Sequence, residues 1–345
     1  MSDVPRFASR VLRWHARHGR RDLPWNAARD PYHVWLSEVM LQQTQVATVI
    51  PYYCRFLAAF PNFGALASAR QSDVLKLWAG LGYYTRARNL HACSRRVVDE
   101  FGGRFPRDAQ AIAALPGIGR STAAAIAAFC YGERVAILDG NVKRVLARHF
   151  GIEGFPGDSK VEHLMWAQAE SLLPASGRMP AYTQALMDLG ATVCTRRAPR
   201  CEACPLRRSC VALREGRVGS LPTPRPRRAV PARRMFWLVA IARDRVLLQR
   251  QAEKGLWGGL LAPLQFSSRA ALNAAARAMS AAARPQPLPE RRHAFTHFTL
   301  RFVPHLLRLP ATVRVDGARW LPQTQLATAE LPAPAKRLLL DITER

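Results

Sequence analysis

From its start to about residue 215 the chain repeats apolar residues at helical spacing, broken by short Gly/Pro clusters and with few stretches of strict alternation. The pattern predicts a mainly helical first region. Asp30-Pro31 is a helix start, with Asp as N-cap and Pro at the first helical position, and the residues behind it predict a helix running through 37–49. Residues 75–77, 90–98 and 123–129 fall in further predicted helices. Residues 217–234 are dense in proline and arginine, which predicts an extended linker able to follow a phosphate backbone. Beyond it the texture changes. Residues 236–242 and 246–249 read as strands with Asp244 in the turn between them, and 301–309 and 313–315 as further strands. Residues 269–283 read as an Ala-rich helix. The expected organisation is a helical domain over 1–216, a linker over 217–234 and an α+β domain over 235–345, with no internal repeat.

Composition agrees with two folded domains. The chain has 345 residues, more than one ordinary core organises, and 49% hydrophobic content argues against disorder. No apolar run approaches the ~18–20 residues that span a bilayer, and the N-terminal residues lack the apolar core of a secretory signal. A cytoplasmic protein is expected. The net charge of +27 then points to nucleic acid, because no basic amphipathic helix of the membrane-surface kind is evident.

Seven cysteines in a reducing compartment do not read as a disulfide framework. Cys54, Cys93 and Cys130 are scattered among apolar residues and read as small buried hydrophobes. Cys194, Cys201, Cys204 and Cys210 are different. Their spacing, C-x6-C-x2-C-x5-C, lets four thiolates wrap one inorganic centre, and Arg196, Arg197, Arg200, Arg207 and Arg208 surround them. A metal-organised loop facing a polyanion is expected.

Leu115-Pro116-Gly117-Ile118-Gly119-Arg120-Ser121-Thr122 lies between two predicted helices. The glycines permit close backbone approach and leave N–H groups free at a helix start, a ready phosphate site. This is a helix-hairpin-helix signature. About twenty residues on, Asp139 sits at the N-cap of another predicted helix, where N–H groups and the helix dipole are expected to lower its pKa. Glu38 has the opposite setting: Val34 and Trp35 lie one turn before it and Leu41 one turn after, so burial should raise its pKa into the range of a general acid. One carboxyl that favours a proton and one that favours charge suit cleavage of a glycosidic bond through an oxocarbenium-like state, here an N-glycosidic bond in DNA.

Trp35-Leu36-Ser37-Glu38-Val39-Met40-Leu41-Gln42-Gln43-Thr44-Gln45-Val46, Leu81-Gly82-Tyr83-Tyr84, the hairpin, Leu138-Asp139-Gly140-Asn141-Val142 and the four-cysteine run resemble, in order and spacing, the adenine DNA glycosylases. These belong to the helix-hairpin-helix, iron–sulfur glycosylases, and the resemblance covers nearly the whole chain. It implies a mainly α glycosylase core with an iron–sulfur loop, followed by an α+β Nudix-like domain. It implies removal of adenine mispaired with 8-oxoguanine or G from double-stranded DNA by a monomeric enzyme. In that chemistry Glu38 protonates adenine at N7, Asp139 stabilises or traps the oxocarbenium ion, and Asn141 holds the site beside it. Cys194, Cys201, Cys204 and Cys210 are implied to ligate a [4Fe–4S] cluster. Gln43 and Tyr83 match residues that wedge into the duplex near 8-oxoguanine. Leu115, Gly117, Gly119 and Ser121 match the DNA-binding hairpin, and Arg21, Leu23, Trp25 and Gln184 match the lining of the adenine pocket.

One position and the C-terminal domain separate subtypes. Lyase-competent relatives carry a lysine where Ser121 stands, and serine forms no imine, so a monofunctional enzyme using water is expected. Lys254-Gly255-Leu256-Trp257-Gly258-Gly259-Leu260 resembles the Nudix fold, but 269–283 holds no Glu or Asp, which argues against metal-dependent pyrophosphate hydrolysis. The family's Phe-Ser-His reading loop appears here as Phe295-Thr296-His297. The alternatives are a pyrimidine glycosylase and lyase like endonuclease III, opposed by Ser121, and a non-catalytic DNA-binding protein, opposed by Glu38 and Asp139.

Overall fold

The computed structural model describes residues 4–26, 30–175, 177–226, 231–253, 255–295 and 297–343. Lys254 and Thr296, both singled out from the sequence, lie outside these residues. In chain order the helices are α1 (Val4–His18), α2 (Pro31–Leu41), α3 (Val46–Ala59), α4 (Phe63–Ser68), α5 (Gln71–Trp78), α6 (Thr85–Phe101), α7 (Ala109–Ala113), α8 (Arg120–Tyr131), α9 (Gly140–Phe150), α10 (Ser159–Ser171), α11 (Met179–Asp188), α12 (Val211–Arg214), α13 (Arg269–Met279) and α14 (Ala333–Thr343). Chain packing divides the molecule into two units, Met1–Ser68 with Asn89–Arg227, and Ala69–Arg88 with Arg228–Arg345. No helix among the described residues is long and apolar enough to cross a membrane.

The first unit is helical. Asp30 starts α2 as expected: its carboxylate accepts from the N–H groups of Tyr32 and His33, and Pro31 fills the first helical position, where no N–H is needed. The helix does not run on to residue 49. It stops at Leu41, and the chain turns through Gln43 in left-handed backbone (φ 57°) before α3. The apolar pattern runs through this break because both helices bury the same kinds of residue; the reversal is set by tertiary packing, which the periodicity does not carry. Within α2, Val34, Trp35, Leu36, Val39 and Met40 are all buried, so the helix is wrapped on several faces. A second cluster joins Phe7 and Val11 of α1 to Val142, Val145 and Leu146 of α9 and to Tyr182, Ala185 and Leu186 of α11. This cluster fixes where α9 begins, and hence where Asp139 stands.

The second unit holds β1 (Ala232–Ala242), β2 (Arg245–Arg250), β3 (Leu261–Ala262), β4 (Leu264–Phe266), β5 (Gln286–Pro287), β6 (Arg291–Ala294), β7 (Thr299–Leu309) and β8 (Ala318–Pro322). They form one mixed sheet of order β3-β2-β1-β7-β5, with β4 on β1, β6 on β7 and β8 on β2. The long pair β1 and β7 is parallel, with Trp237 opposite Pro304 and Leu238 opposite His305. Leu272 and Ala276 of α13 pack with Leu238, Ala240 and Leu307 of the sheet. Two expectations are corrected here. Residues 313–315 are not a strand: Trp320 Nε1 donates to Val313 O (2.8 Å), and pairing begins only at β8. The helix expected over 269–283 ends at Met279, because Ser280 is already extended.

Candidate active site

In the first unit a cavity of about 340 Å³ is lined by Glu38 together with Arg21, Leu23, Trp25 and Gln184, so one concavity gathers all four candidate base-binding residues and the candidate acid. Trp25 is also part of the core, meeting Tyr53 edge-on at 5.4 Å. Burial pushes the Glu38 carboxyl up to about 8, and the neighbouring Asp139 charge pushes in the same direction. Glu38 is therefore protonated at neutral pH and able to donate.

Asp139 caps α9. Its Oδ1 accepts from Val142 N (2.8 Å) and its Oδ2 from Asn141 Nδ2 (3.4 Å). The expectation that this setting lowers its pKa is corrected. Burial raises it, and the donors of Val142 and Asn141 and the charge of Arg144 reverse only part of that rise. The sequence revealed the cap and left the desolvation out of view. Both carboxyls resist charge, and a charge on Asp139 makes a second one on Glu38 harder still. Asp139, with its donors and Arg144, is the better place for that charge, and Glu38 for the proton.

The hydroxyl of Ser121 accepts from Leu138 N (2.9 Å), which ties α8 to the residue before Asp139. Ser121 thus has a positional role in the protein that its sequence reading as a hairpin residue did not contain. Leu115 is buried, so its side chain supports the hairpin from inside. Gly117 (φ 77°) lies so close to Asn89 that an added Cβ would meet Asn89 Cβ at 2.5 Å. Gly119 is open and starts α8 with no side-chain cap, which suits an external anion. Gln43 is exposed in left-handed backbone, a conformation uncommon for glutamine and found more often at functional positions.

Asn141 is held from behind. Its Oδ1 accepts from Arg144 Nη2 (2.8 Å), and the same guanidinium donates to Gly190 O (2.6 Å) and Cys194 O (2.7 Å). Gly190 lies against Asn141, and a Cβ there would meet Asn141 Cβ at 2.5 Å and its Cα at 3.0 Å. Gly190→Ala is expected to push Asn141 off Asp139, slowing single-turnover base release by about 10-fold and costing about 1–3 kcal/mol of stability. Thermal melts and quenched-flow assays would check this; an unchanged rate would show that Asn141 does not need its present place.

Cys194, Cys201, Cys204 and Cys210 line one small cavity of about 30 Å³. Arg148, buried on α9, donates to Cys194 Sγ (3.4 Å), Thr195 O (2.7 Å) and Leu221 O (2.9 Å). Burial pushes the Cys204 thiol up to about 12, against a backbone N–H that favours its thiolate, and neighbouring sulfurs add to the rise. Four thiolates in this setting need a cationic centre to bind, and the donor set fits one. Of the remaining cysteines, Cys93 is buried as expected, but Cys54 is exposed on α3 and Cys130 is only partly buried on α8, two corrections.

In the second unit a separate cavity of about 760 Å³ is lined by Tyr83, Arg88, Trp257, His293, Phe295 and His297, among others. Phe295 stacks on Phe298 (4.6 Å between ring centroids) and meets His293 edge-on (4.6 Å). Tyr83 is 49% exposed and, like Trp257, takes left-handed backbone. The site thus brings Tyr83 together with two residues of the candidate reading loop. Sequence reading missed Ser121's anchoring role, Arg144, Arg148, and Asp188 beneath Gln184. Only the last had a visible signal, an acid four residues after Gln184 on one helix.

Comparison with known proteins identifies two family matches in the chain. Residues 36–171 match the HhH-GPD superfamily of base excision DNA repair proteins, and residues 236–341 match the NUDIX domain. The adenine DNA glycosylase of Buchnera aphidicola subsp. Schizaphis graminum is 32% identical over 339 residues, covering 96% of this chain and 97% of that one. The adenine DNA glycosylase of Mus musculus is 35% identical, covering 98% and 78%. Among solved structures, a thermostable thymine-DNA glycosylase superposes with a TM-score of 0.54 at 31% identity, covering 61% of this chain and 95% of that one. An endonuclease III bound non-covalently to DNA shares the fold, with a TM-score of 0.52 at 20% identity over 61% of this chain and 95% of that one.

Proposed function

The chain belongs to the adenine DNA glycosylase family, base-excision repair hydrolases of N-glycosyl bonds, and from this we propose that it removes adenine mispaired with 8-oxoguanine or G in double-stranded DNA, without strand cleavage. The observation that carries the reading is a carboxyl, Glu38, protonated at neutral pH in a base-sized cavity and electrostatically coupled to a second carboxyl at a helix N-cap.

The adenine leaves the stack and enters the cavity between Trp25, Leu23 and Gln184. Glu38 donates its proton to N7, and the glycosidic electron pair departs with the neutral base. The ionised Asp139, held by Val142 N–H and Asn141, faces the positive charge that develops on the sugar. Water completes the reaction and returns a proton to Glu38. Ser121, its hydroxyl engaged by Leu138 N–H, offers no amine for an imine, so the product keeps its phosphodiester backbone.

Gln43 and Tyr83 wedge the duplex, with Gly117, Gly119 and Ser121 at the hairpin backbone and Leu115 supporting it. Phe295, Thr296 and His297 read the oxidised guanine from the C-terminal domain, whose first strand begins at Ala232, inside the stretch expected as a 217–234 linker. Cys194, Cys201, Cys204 and Cys210 would hold a [4Fe–4S] cluster, which would order the arginine-rich loop around them. Four cysteine sulfurs lining one cavity supply the all-thiolate donor set that such a cluster takes. The enzyme acts as a monomer in the cytoplasm, drawn to DNA by its +27 charge.

The test is single-turnover cleavage of duplexes carrying A:8-oxoguanine, A:G, and thymine glycol opposite A, with and without alkali, on protein whose visible absorbance reports the cluster. Adenine release from the first duplex, with nicking only after alkali, is expected. Thymine glycol cleavage, or nicking without alkali as fast as base loss, would reassign the chain to lyases of the endonuclease III kind.

A further inference from the structure

Asp188 ends α11 fully buried, one helical turn beyond Gln184, and touches His15, Arg20 and Gln184, which line the cavity that holds Glu38. Its Oδ1 accepts from Gln184 Nε2 (2.9 Å), Arg20 Nε (2.8 Å) and Arg20 Nη2 (2.7 Å). Its Oδ2 accepts from the backbone N–H of Arg20 (2.9 Å), with His15 Nε2 at 3.5 Å. Every neighbour is a donor. Such a carboxylate can only accept, and burial, which by itself would raise its pKa, is outweighed by His15, Arg20 and Gln184, which hold it below the ordinary carboxylate range.

This fixes a second group. The amide of Gln184 could present either its NH2 or its oxygen to the cavity, and the two ends differ little in size. Beside Asp188 the choice disappears. Turning Oε1 toward the carboxylate would set two acceptors face to face inside the protein with no proton between them. The NH2 goes to Asp188, which leaves the carbonyl oxygen as the amide's free acceptor on a residue that lines the cavity. An acceptor there complements the exocyclic amine at C6 of adenine and opposes the oxygen at C6 of a 6-oxopurine.

We propose that Asp188 is a positioning residue that orients the Gln184 amide and thereby makes the cavity select purines carrying an amino group at C6. This rests on the reading of the cavity as an adenine site. It differs from the chemistry of Glu38, because both kinds of purine offer the same N7 to its proton. Arg20 belongs to the same device: it holds the charge of Asp188 in place and is itself held by it through three donors.

The test compares single-turnover release of adenine and of hypoxanthine, each opposite 8-oxoguanine, by the full-length protein with its cluster intact. Wild type is expected to favour adenine strongly. Asp188→Asn, whose side chain can accept or donate, frees the Gln184 amide to turn, and the adenine-to-hypoxanthine ratio is expected to fall by about 10-fold or more. Gln184→Met leaves Asp188 with its arginine and removes the acceptor, so the same fall is expected even where Asp188→Asn does not fold. The double variant Asp188→Asn/Gln184→Glu reverses the hydrogen bond, with the amide donating at 188 and a carboxylate oxygen facing the cavity, and should recover much of the ratio.

A folded Asp188→Asn or Gln184→Met that slows both substrates equally, with the ratio unchanged, overturns the proposal and leaves Asp188 a residue of structure alone. A folded double variant no more selective than Asp188→Asn overturns it as well. Wild type that releases no adenine from A:8-oxoguanine is a different result: it removes the functional reading itself, whatever the variants do.

Discussion

Replacing Asp139 by Asn is expected to lower adenine excision by about 10³-fold or more while leaving duplex binding within about 3-fold of wild type. Asparagine is nearly isosteric and is a good N-cap, so it keeps the bond from Val142 N–H and the start of α9. What it removes is the charge that faces the developing sugar cation. The stability effect runs the other way. Burial raises the pKa of Asp139 in the folded protein, so its contribution to stability is full only below the unfolded pKa and declines as pH rises through the raised folded value. At neutral pH the Asn variant avoids that loss, and its melting temperature should be equal to or above that of wild type. Single-turnover assays, fluorescence anisotropy on an uncleavable duplex and thermal melts at pH 7 separate the three effects. Excision at the normal rate by a folded variant would end the proposed role of Asp139.

Glu38→Gln is expected to cost about 10²–10⁴-fold in excision, the range for losing a general acid. The pH profile identifies the cause. In wild type the rate should hold on the acidic side of about 8 and decline above it, as the proton Glu38 must donate is lost. Glutamine has no proton to lose, so this limb should vanish from the residual activity. Stability again gives a sign. The folded pKa of Glu38 stands above its unfolded value, so its stabilisation is complete below the unfolded pKa and is lost as pH climbs to about 8. Glu38→Gln should therefore melt higher than wild type above pH 8 and lose that advantage in acid. A variant that keeps an unaltered alkaline limb would place the titrating group elsewhere. Because the charge of Asp139 contributes to the rise at Glu38, Asp139→Asn should also move the Glu38 titration down, though burial keeps it above the ordinary carboxylate range.

Much of this protein was legible before its fold. The cap at Asp30 and Pro31, the helix starting behind Asp139 and the long strands of the second unit depend on neighbouring residues and on local steric and hydrogen-bonding preferences, and each was found, though β1 starts at Ala232, four residues before the expected 236. The helix expected over 37–49 failed for a physical reason. Periodicity reports which residues want burial but not where the chain must turn to bury them, so the break at Gln43 passed unseen. Cys54 was misjudged as well, since apolar neighbours in sequence do not say which face of α3 is left to solvent.

The two carboxyls divide along the same line. That Glu38 sits among apolar neighbours and that Asp139 caps a helix are local facts, and the sequence by itself determined them. It also determined the chemistry on offer: two acids, four clustered cysteines, a glycine hairpin and a serine in place of a lysine. The tertiary structure decided the energetics. A pKa depends on how much water the whole fold removes, which is why the rise at Asp139 was invisible in the cap that seemed to lower it. Packing likewise brought Arg144 onto Asn141, Ser121 onto the residue before Asp139, and Arg20 onto Asp188, contacts between residues up to 168 positions apart. Local sequence can specify which groups a site contains, because propensities act over a few residues. Their protonation and orientation come from desolvation and from donors delivered by distant segments, and those exist only once the chain has folded.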